Sequence, residues 1–285
     1  MIILIVLIFL FAFPDITDSD YDYSIEKKES VQKTLNLTTE TEEAWVIVDN
    51  IWGSIKVIGY EGSDIQLLVN KTIQARSQKQ LQYAIQEVTL DITQEDDLVE
   101  LYVNGPFRNH EREHNNTYWN KRHYRVIYDF ELKVPFSTSL DLKTVMNGGI
   151  TVRNIKGDFK VHNVNAGIDM QNLQGSGEAY AVNGDVTLYF RDNPRTDCCF
   201  GSLNGEVKLY FPPRLSADFY LKTFNGEVFS DFPVHYLPAE HFYTVQRNGK
   251  TVYKAGHWCS VRAGKGGPKI KLKGFNGDMF ILKNK

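Results

Sequence analysis

The sequence predicts an all-β fold: a parallel β-solenoid (β-helix) of about five or six rungs, preceded by antiparallel strands and one short helix. An Asn-Gly corner followed by alternating apolar residues recurs along the second half of the chain, at spacings of 18, 18, 21, 21 and finally 51 residues. The 285 residues are 42% hydrophobic and 13% aromatic, which supports a sizeable core. Units of 18–21 residues cannot bury an apolar face alone, so neighbouring units must stack.

Residues 1–23 are predicted to be a signal peptide or an N-terminal anchor. Met1–Phe13 is almost wholly apolar, too short to span a bilayer as a helix and suited to the apolar part of a signal peptide. No Lys or Arg precedes this run and no small-x-small cleavage site follows it, so an uncleaved anchor, or a start assigned too late, is the alternative. Either version places the protein outside the cytoplasm, in the periplasm, at the cell surface or in the secreted fraction.

Residues 24–43 form a polar lead-in, and the acidic stretch Asp15–Ser30 is expected to be flexible. Residues 44–139 are predicted to be antiparallel strands with one short helix. Alternation of apolar and polar residues, or local apolar runs, places the strands at Ala44–Val57, Ile65–Val69, Val88–Ile92, Leu98–Val103 and Tyr124–Val134.

The helix is predicted from Ser77 to about Glu87. Ser77 and Gln80 have the spacing of a capping box, in which the serine oxygen accepts from a backbone N–H of the first turn. Apolar residues then recur at helical spacing behind this start.

Residues 140–285 hold the repeats, with an insertion at 233–267. Each Asn-Gly corner leads into an apolar-x-apolar strand, so one face points inward, and the glycine permits a positive φ at the corner. Stacking in register would place equivalent asparagines about 4.8 Å apart, where their amides can pair. The predicted corner ladder consists of Asn147, Asn165, Asn183, Asn204, Asn225 and Asn276.

A series of isolated Asn-Gly hairpins is the rival interpretation of these corners. Parallel stacking is favoured because hairpins would not repeat an 18-residue spacing with matched flanks. Two loops, Asp192–Arg195 and Pro212–Arg214, lengthen later units at the same corner, where solenoids often carry binding residues. The insertion contains a predicted hairpin, Tyr243–Gln246 with Thr251–Tyr253.

The run Leu142–Ile150, the Asn-Gly-Asp/Glu-Val corners and the closing stretch Lys271–Asp278 resemble an exported bacterial "putative adhesin" β-solenoid family. That family is a domain of unknown function related to the head domain of autotransporter adhesins. The resemblance covers roughly Val46–Lys285. It implies export and a solenoid fold, and it implies no catalytic residues.

The sharpest catalytic motif is His110-Glu111-Arg112-Glu113-His114, which matches the H-E-x-x-H pattern of zinc peptidases. Asn, Gly and Pro flank it, and no apolar stripe exists to bury a helix there. No residue lies at a standard spacing from the motif to serve as a third zinc ligand, although His123 or Glu131 could be proposed. The sequence therefore favours a charged, solvated loop, and no metal or other cofactor is expected.

Two further sets of residues at the repeats could carry chemistry. Stacked carboxylates after the corners could bind Ca²⁺ or a basic partner, although an ordinary surface ladder is favoured; these are Asp185, Glu206, Glu227 and Asp278. Exposed aromatic rings could stack on sugars or merely pack against neighbouring rungs; these are Tyr180, Tyr189, Tyr210 and Tyr220.

The cysteines have no metal-ligand spacing. Cys198 and Cys199 are adjacent on a predicted strand, so at most one of them should face the core. A bridge from Cys259 to one of them is conceivable in an oxidising compartment, but three thiols leave one over, and free thiols are favoured.

The function expected from these features is non-enzymatic: an adhesin-like or scaffold binding module of the cell envelope. Its partner would be an envelope protein or a glycan. A net charge of −3 without a dominant basic block argues against nucleic acid, and membrane contact is expected only through the N-terminal segment if it is uncleaved. The alternatives are a metal-dependent hydrolase using His110, Glu111 and His114, or a carbohydrate-active β-helix enzyme.

Overall fold

A computed structural model describes residues 23–37, 44–108, 123–238, 242–247, 250–255 and 259–284. The fold is all-β with mixed sheets, and the described residues contain a single α-helix. Within these ranges, no helix has both the length and the apolar character needed to cross a membrane. The chain divides into two compact units, residues 1–149 and residues 150–285.

The first unit contains strands β1–β8 and helix α1. In chain order the elements are β1 Ile25–Asn36, β2 Trp45–Asp49, β3 Ile55–Tyr60, β4 Asp64–Ala75, α1 Gln78–Glu87, β5 Thr89–Glu95, β6 Leu98–Asn104, β7 Tyr124–Pro135 and β8 Ser139–Thr144, with a short 3₁₀ helix at Pro106–Arg108. The strands pair in two series, β1-β4-β7-β3 and β8-β2-β6-β5.

Strand direction in this unit differs from the predicted antiparallel arrangement. The pairs β1/β4, β4/β7 and β5/β6 are antiparallel, whereas β3/β7, β2/β6 and β2/β8 are parallel. Alternation of apolar and polar residues places one face inward in either direction, so the pattern could not distinguish the two.

The predicted polar lead-in also differs, because most of its described part is strand β1. β1 pairs antiparallel with β4 along its whole length, from Ile25 opposite Ala75 to Asn36 opposite Asp64. None of its side chains is fully buried. Backbone pairing to a neighbouring strand therefore stabilises a segment whose composition alone resembles a flexible lead-in.

The predicted helix is confirmed. α1 spans Gln78–Glu87, and the Ser77 side chain accepts a hydrogen bond from the backbone N–H of Gln80 at 3.4 Å. Leu81 and Ala84 are its buried residues. Capping and a narrow apolar stripe are thus enough to define this element.

The second unit contains strands β9–β23. In chain order these are β9 Ile150–Arg153, β10 Phe159–Asn163, β11 Ile168–Leu173, β12 Gly177–Asn183, β13 Val186–Phe190, β14 Cys198–Asn204, β15 Val207–Phe211, β16 Ala217–Lys222, β17 Val228–Ser230, β18 Val234–Tyr236, β19 Phe242–Arg247, β20 Lys250–Ala255, β21 Cys259–Ala263, β22 Lys269–Asn276 and β23 Met279–Lys283. β19 and β20 form the predicted hairpin.

Two sheets make up the rest of this unit. The front sheet has the order β9-β11-β13-β15-β23-β17, and the back sheet has the order β10-β12-β14-β22-β16-β21-β18. Phe190 of the front sheet contacts Phe159 and Phe200 of the back sheet, with ring centroids 6.5 and 5.8 Å away. The core of the second unit therefore lies between the two sheets.

The front sheet is parallel throughout, and its register is the same at the first buried position of the first four strands, with one irregularity between Met170 and Leu173 of β11. Ile150 lies opposite Ile168, Ile168 opposite Val186, and Val186 opposite Val207, which are offsets of 18, 18 and 21 residues. In the back sheet Phe159 lies opposite Gly177 with the same offset of 18. Equivalent positions of successive sequence units thus become neighbours in space.

The final strands of the chain lie inside the stack. β22 pairs with β14 on one side and β16 on the other, and β23 pairs with β15 and β17. β21 then pairs antiparallel with the other side of β16, and β18 pairs antiparallel with β21 as the last strand of the back sheet. The sequence did not predict this order, because every corner has nearly the same residues.

Candidate binding surface

Corner asparagines of the second unit form a continuous row of side-chain amides. Asn183 donates from Nδ2 to Oδ1 of Asn165 at 3.0 Å, and Asn204 donates to Asn183 at 2.8 Å. Asn276 donates to Asn204 at 2.8 Å, and Asn225 donates to Asn276 at 2.8 Å. The row therefore runs in the spatial order of the strands and not in the order of the sequence: Asn165, Asn183, Asn204, Asn276 and Asn225.

Asn147, the remaining predicted member, lies in the first unit with a left-handed φ of 52°. A second, shorter row links Asn172 to Asn154, whose amides meet at 2.7 Å. Both of these residues also have positive φ, at 59° and 60°. Asparagine suits such positions because its short polar side chain tolerates the left-handed region.

Corner glycines serve two needs. Gly277 adopts a positive φ of 137°, as the sequence predicted, and Gly205 has a φ of 159°, whereas Gly184 and Gly226 do not adopt a positive φ. A Cβ at Gly226 would lie 2.1 Å from the carbonyl oxygen of Gly277, and one at Gly184 would lie 2.4 Å from the backbone of Ala166. Glycine is required at Gly184 and Gly226 because the backbone of a neighbouring unit passes too close for a side chain.

Corner carboxylates bind the neighbouring backbone. Asp185 accepts from the N–H of Glu206, and Asp278 accepts from the N–H of Glu227, both at 2.8 Å. Glu206 forms an ion pair with Lys208. No group of three or more potential metal ligands occurs among the described residues.

Aromatic side chains form two rows on the outward face of the front sheet. Tyr189 and Tyr210 lie opposite each other on β13 and β15, with parallel rings 4.1 Å apart. Phe280 and Phe229 lie opposite each other on β23 and β17, with rings 5.1 Å apart. The Lys208 ammonium lies 5.6 Å from the Phe280 ring and joins the two rows. We call these five side chains the front aromatic patch.

The other two candidate tyrosines lie on the back sheet, apart from this patch. Tyr180 is opposite Gly201, and the missing side chain there leaves room for its ring. Tyr220 on β16 has the Lys269 ammonium 5.6 Å from its ring centre. The four tyrosines named from the sequence therefore divide between two faces.

Phe229 and Phe280 were missed by sequence reasoning. Each is the second residue of its strand, at Val228-Phe229 and Met279-Phe280, so their equivalence in the repeat was the available signal. Only the stacking order, which places β17 beside β23, brings the two rings together.

Residues of the His-Glu-x-x-His motif, His110, Glu111 and His114, lie outside the described residues. The two proposed third ligands are described. His123 precedes β7, and Glu131 on β7 forms an ion pair of 3.6 Å with Lys56 on β3. Glu131 is therefore placed in a surface ion pair.

Each cysteine is a free thiol. Cys198 points into the core, and burial raises the pKa of its thiol to about 11. Cys199 is partly exposed, and burial also raises its pKa, against the opposing effect of nearby Lys273. Cys259 is exposed. The prediction that at most one of the adjacent pair faces the core is confirmed.

No known protein family and no curated protein matches the chain. Among solved structures it is similar to a "putative cell adhesion protein" from Clostridium sporogenes ATCC 15579, at 11% identity and a TM-score of 0.45, over 90% of this chain and 100% of that one. It is also similar to a "putative adhesin" from Bacteroides fragilis NCTC 9343, at 9% identity and a TM-score of 0.36, over 90% of this chain and 97% of that one. A third similar structure is a "putative lipid binding protein" from Parabacteroides distasonis ATCC 8503, at 12% identity and a TM-score of 0.30, over 90% of this chain and 97% of that one.

Proposed function

We propose that the chain is a non-enzymatic, exported binding module of the cell envelope, adhesin-like or scaffolding, whose second unit is a β-solenoid of about five or six rungs. The observation that carries the proposal is the front aromatic patch. Its rings form two pairs, each in register, on four neighbouring strands, β13, β15, β23 and β17. Grouped, partly exposed aromatic side chains on a rigid sheet are typical of surfaces that bind a partner.

The partner chemistry that fits this patch is an envelope protein or a glycan. Two tyrosine hydroxyls and the Lys208 ammonium offer hydrogen-bonding groups beside apolar ring surface. Such a mixture suits sugar rings, which present hydroxyls at their edges and C–H groups on their faces. It also suits the aromatic-rich centre of a protein interface.

The test is binding of the full-length protein to arrayed glycans and purified envelope proteins, compared with the double variant Tyr189→Ala/Tyr210→Ala. We expect the variant to lose at least about tenfold in affinity for any ligand that the wild type binds, since aromatic anchors dominate such surfaces. Tyr180→Ala, on the back sheet, is the matched control and should bind as the wild type does. Ligands bound equally well by all three proteins would contradict the proposal.

An enzymatic role is tested separately by measuring metal content of the purified protein by mass spectrometry. We expect no stoichiometric zinc, in the wild type or in His110→Ala/His114→Ala. About one zinc per chain, lost in that double variant, would overturn the non-enzymatic proposal and direct the work to peptidase assays.

A further inference from the structure

The front sheet ends at β17, and the outer edge of this strand is open. All three residues of β17 are exposed, and within the described ranges no strand pairs with its outer side. Val228 is 38% exposed, although Met279 directly opposite it on β23 is fully buried. Phe224, at the corner before β17, is 75% exposed and stacks on Phe275. The front sheet therefore ends in uncovered apolar side chains, and we call residues 227–231 the open edge.

The open edge also carries backbone groups that point away from the sheet. The Glu227 carbonyl accepts a hydrogen bond from β23, and the Asp231 N–H donates one to β23, each at 2.9 Å. Backbone groups of successive strand residues point alternately to the two sides, so those of Val228 and Ser230 point outward. Such a row of N–H and C=O groups is a template for a further strand.

The hairpin of β19 and β20 has a matching free edge. These two strands form a sheet of their own, and a two-stranded hairpin by itself is only marginally stable in water. Arg247 lies opposite Lys250, so two residues connect the strands, and the pair that flanks such a turn is hydrogen bonded. By alternation, the backbone groups of Thr251 and Tyr253 then point away from β19. The hairpin and the open edge thus each need a further strand.

One antiparallel register between β17 and β20 satisfies both rows of backbone groups, with Val228 opposite Tyr253. It sets four more pairs opposite each other: Glu227 with Lys254, Phe229 with Val252, Ser230 with Thr251, and Asp231 with Lys250. Two of these pairs join opposite charges and one joins an aromatic to a β-branched side chain, which are favourable combinations directly across two strands. Charge complementarity therefore favours β20 as the strand that the open edge accepts.

The hairpin and the open edge lie at the same end of the second unit. β18 and β21, which precede and follow the hairpin in the chain, end the back sheet, and β17 ends the front sheet. Two copies that meet at this end can exchange hairpins reciprocally, which closes a two-fold dimer. Pairing of β17 with β17 of a second copy is disfavoured, because antiparallel pairing centred on Phe229 sets Glu227 opposite Asp231.

We propose that β20 of one copy adds antiparallel to β17 of a second copy, and that the reciprocal contact completes a dimer. Each front sheet is thereby extended by the hairpin of the other copy, and the ring of Tyr253 covers Val228. This inference goes beyond ligand binding by the front aromatic patch and does not depend on it.

The test is the dimer dissociation constant of the full-length protein, measured by analytical ultracentrifugation. Glu227→Lys and Lys254→Glu should each weaken the dimer by at least about tenfold, because each variant places like charges in both symmetry-related contacts. An equimolar mixture of the two variants should recover at least half of the wild-type affinity, because every pair in the mixed dimer again joins opposite charges. A hairpin that folded onto β17 of its own chain would gain nothing from mixing.

Controls separate the open edge from other effects. Glu178→Lys makes the same charge change on the back sheet, on β12, and should dimerise as the wild type does. Residues 1–23 are the same in every variant, so differences between variants report on the rest of the chain. Thermal unfolding verifies that each variant is folded, and Glu227→Gln with Lys254→Gln replaces a charge reversal that is not.

A disulfide tests the register directly, in chains that also carry Cys259→Ser. Phe229 and Val252 would form a non-hydrogen-bonded pair, whose Cα separation of about 4.5 Å suits a disulfide. A Phe229→Cys chain mixed with a Val252→Cys chain should therefore cross-link on oxidation. Thr251→Cys, one residue out of register, should not cross-link to it.

Three outcomes would overturn the inference. The first is a wild type that remains monomeric at tens of micromolar. The second is a dimer that neither Glu227→Lys nor Lys254→Glu weakens. The third is a mixture of these two variants that dimerises no better than either alone, which would assign the open edge to the hairpin of the same chain or to a different protein.

Discussion

At the residue scale, asparagine suits the corner row because its side chain carries both an acceptor and two donors. Each interior amide of the row accepts from one neighbour and donates to the next, so a single residue type can repeat indefinitely. Asn204 illustrates this, since it donates to Asn183 and accepts from Asn276. Aspartate in the same place would offer acceptors only and would repel its neighbours.

Position within the row predicts the cost of losing an amide. Asn204→Ala removes two side-chain hydrogen bonds, and Asn225→Ala at the end of the row removes one. At about 0.5–1.5 kcal/mol for each bond, we expect Asn204→Ala to destabilise the protein by about 1–3 kcal/mol and roughly twice as much as Asn225→Ala. Urea unfolding measures both. An equal loss of unfolding free energy in the two variants would indicate that the amides bond mainly to solvent.

At the element scale, local sequence patterns identified most elements and could not set their partners. Ser77 and the apolar spacing behind it fixed the start of α1 because capping is a local interaction. β1 escaped detection because its stability comes from backbone pairing with β4, and its own side chains show no apolar face. The stacking position of β22 and β23 could not be read because their corner residues match those of the other units.

The same holds for the candidate surfaces: some of their residues could be identified from the sequence, but the neighbours of those residues in space could not. The tyrosines were visible as alternating exposed positions, but their distribution over two sheets depends on which strands become neighbours. Phe224 and Phe275 are 51 residues apart in the chain and meet only because β22 lies beside β16. Contacts between strands so distant in sequence are not encoded in any local pattern.

The ion pair between β16 and β21 makes this part of the back sheet sensitive to acid. The Arg262 guanidinium, hydrogen bonded to Asp218, lowers the pKa of that carboxyl below its ordinary value. A carboxyl with a lowered pKa stabilises the folded state fully above its ordinary pKa of about 4, and that contribution disappears as the pH falls through the lowered value.

We therefore expect Asp218→Asn to be less stable than the wild type at neutral pH, with the difference shrinking as the pH falls below about 4. Urea midpoints measured across a pH series give the two curves. Arg262→Gln should show the same pH dependence, and the double variant should lose little more than either single one because both remove the same pair. A difference that stays constant with pH would exclude the ion pair as its source.

At the scale of the whole chain, the last strands of the sequence are central strands of the second unit. β22 and β23 each have a neighbour on both sides, and the back sheet ends instead in β21 and β18. The second unit therefore cannot complete its core until the C-terminal residues are in place. Chain ends are ordinarily where truncation is tolerated, because few buried contacts depend on them.

Deleting residues 268–285 should consequently abolish cooperative folding of the second unit. The deletion removes four fully buried side chains, those of Ile270, Leu272, Met279 and Ile281. At about 1.5–3 kcal/mol each, the loss of about 6–12 kcal/mol is comparable with the whole stability of a typical domain. Hydrogen exchange should show that protection is lost across β14–β17, whereas Ile281→Ala, costing about 2–5 kcal/mol, should keep those strands protected in a less stable protein. Unchanged protection of β14–β17 after the deletion would mean that β14 and β16, and likewise β15 and β17, can close directly on each other.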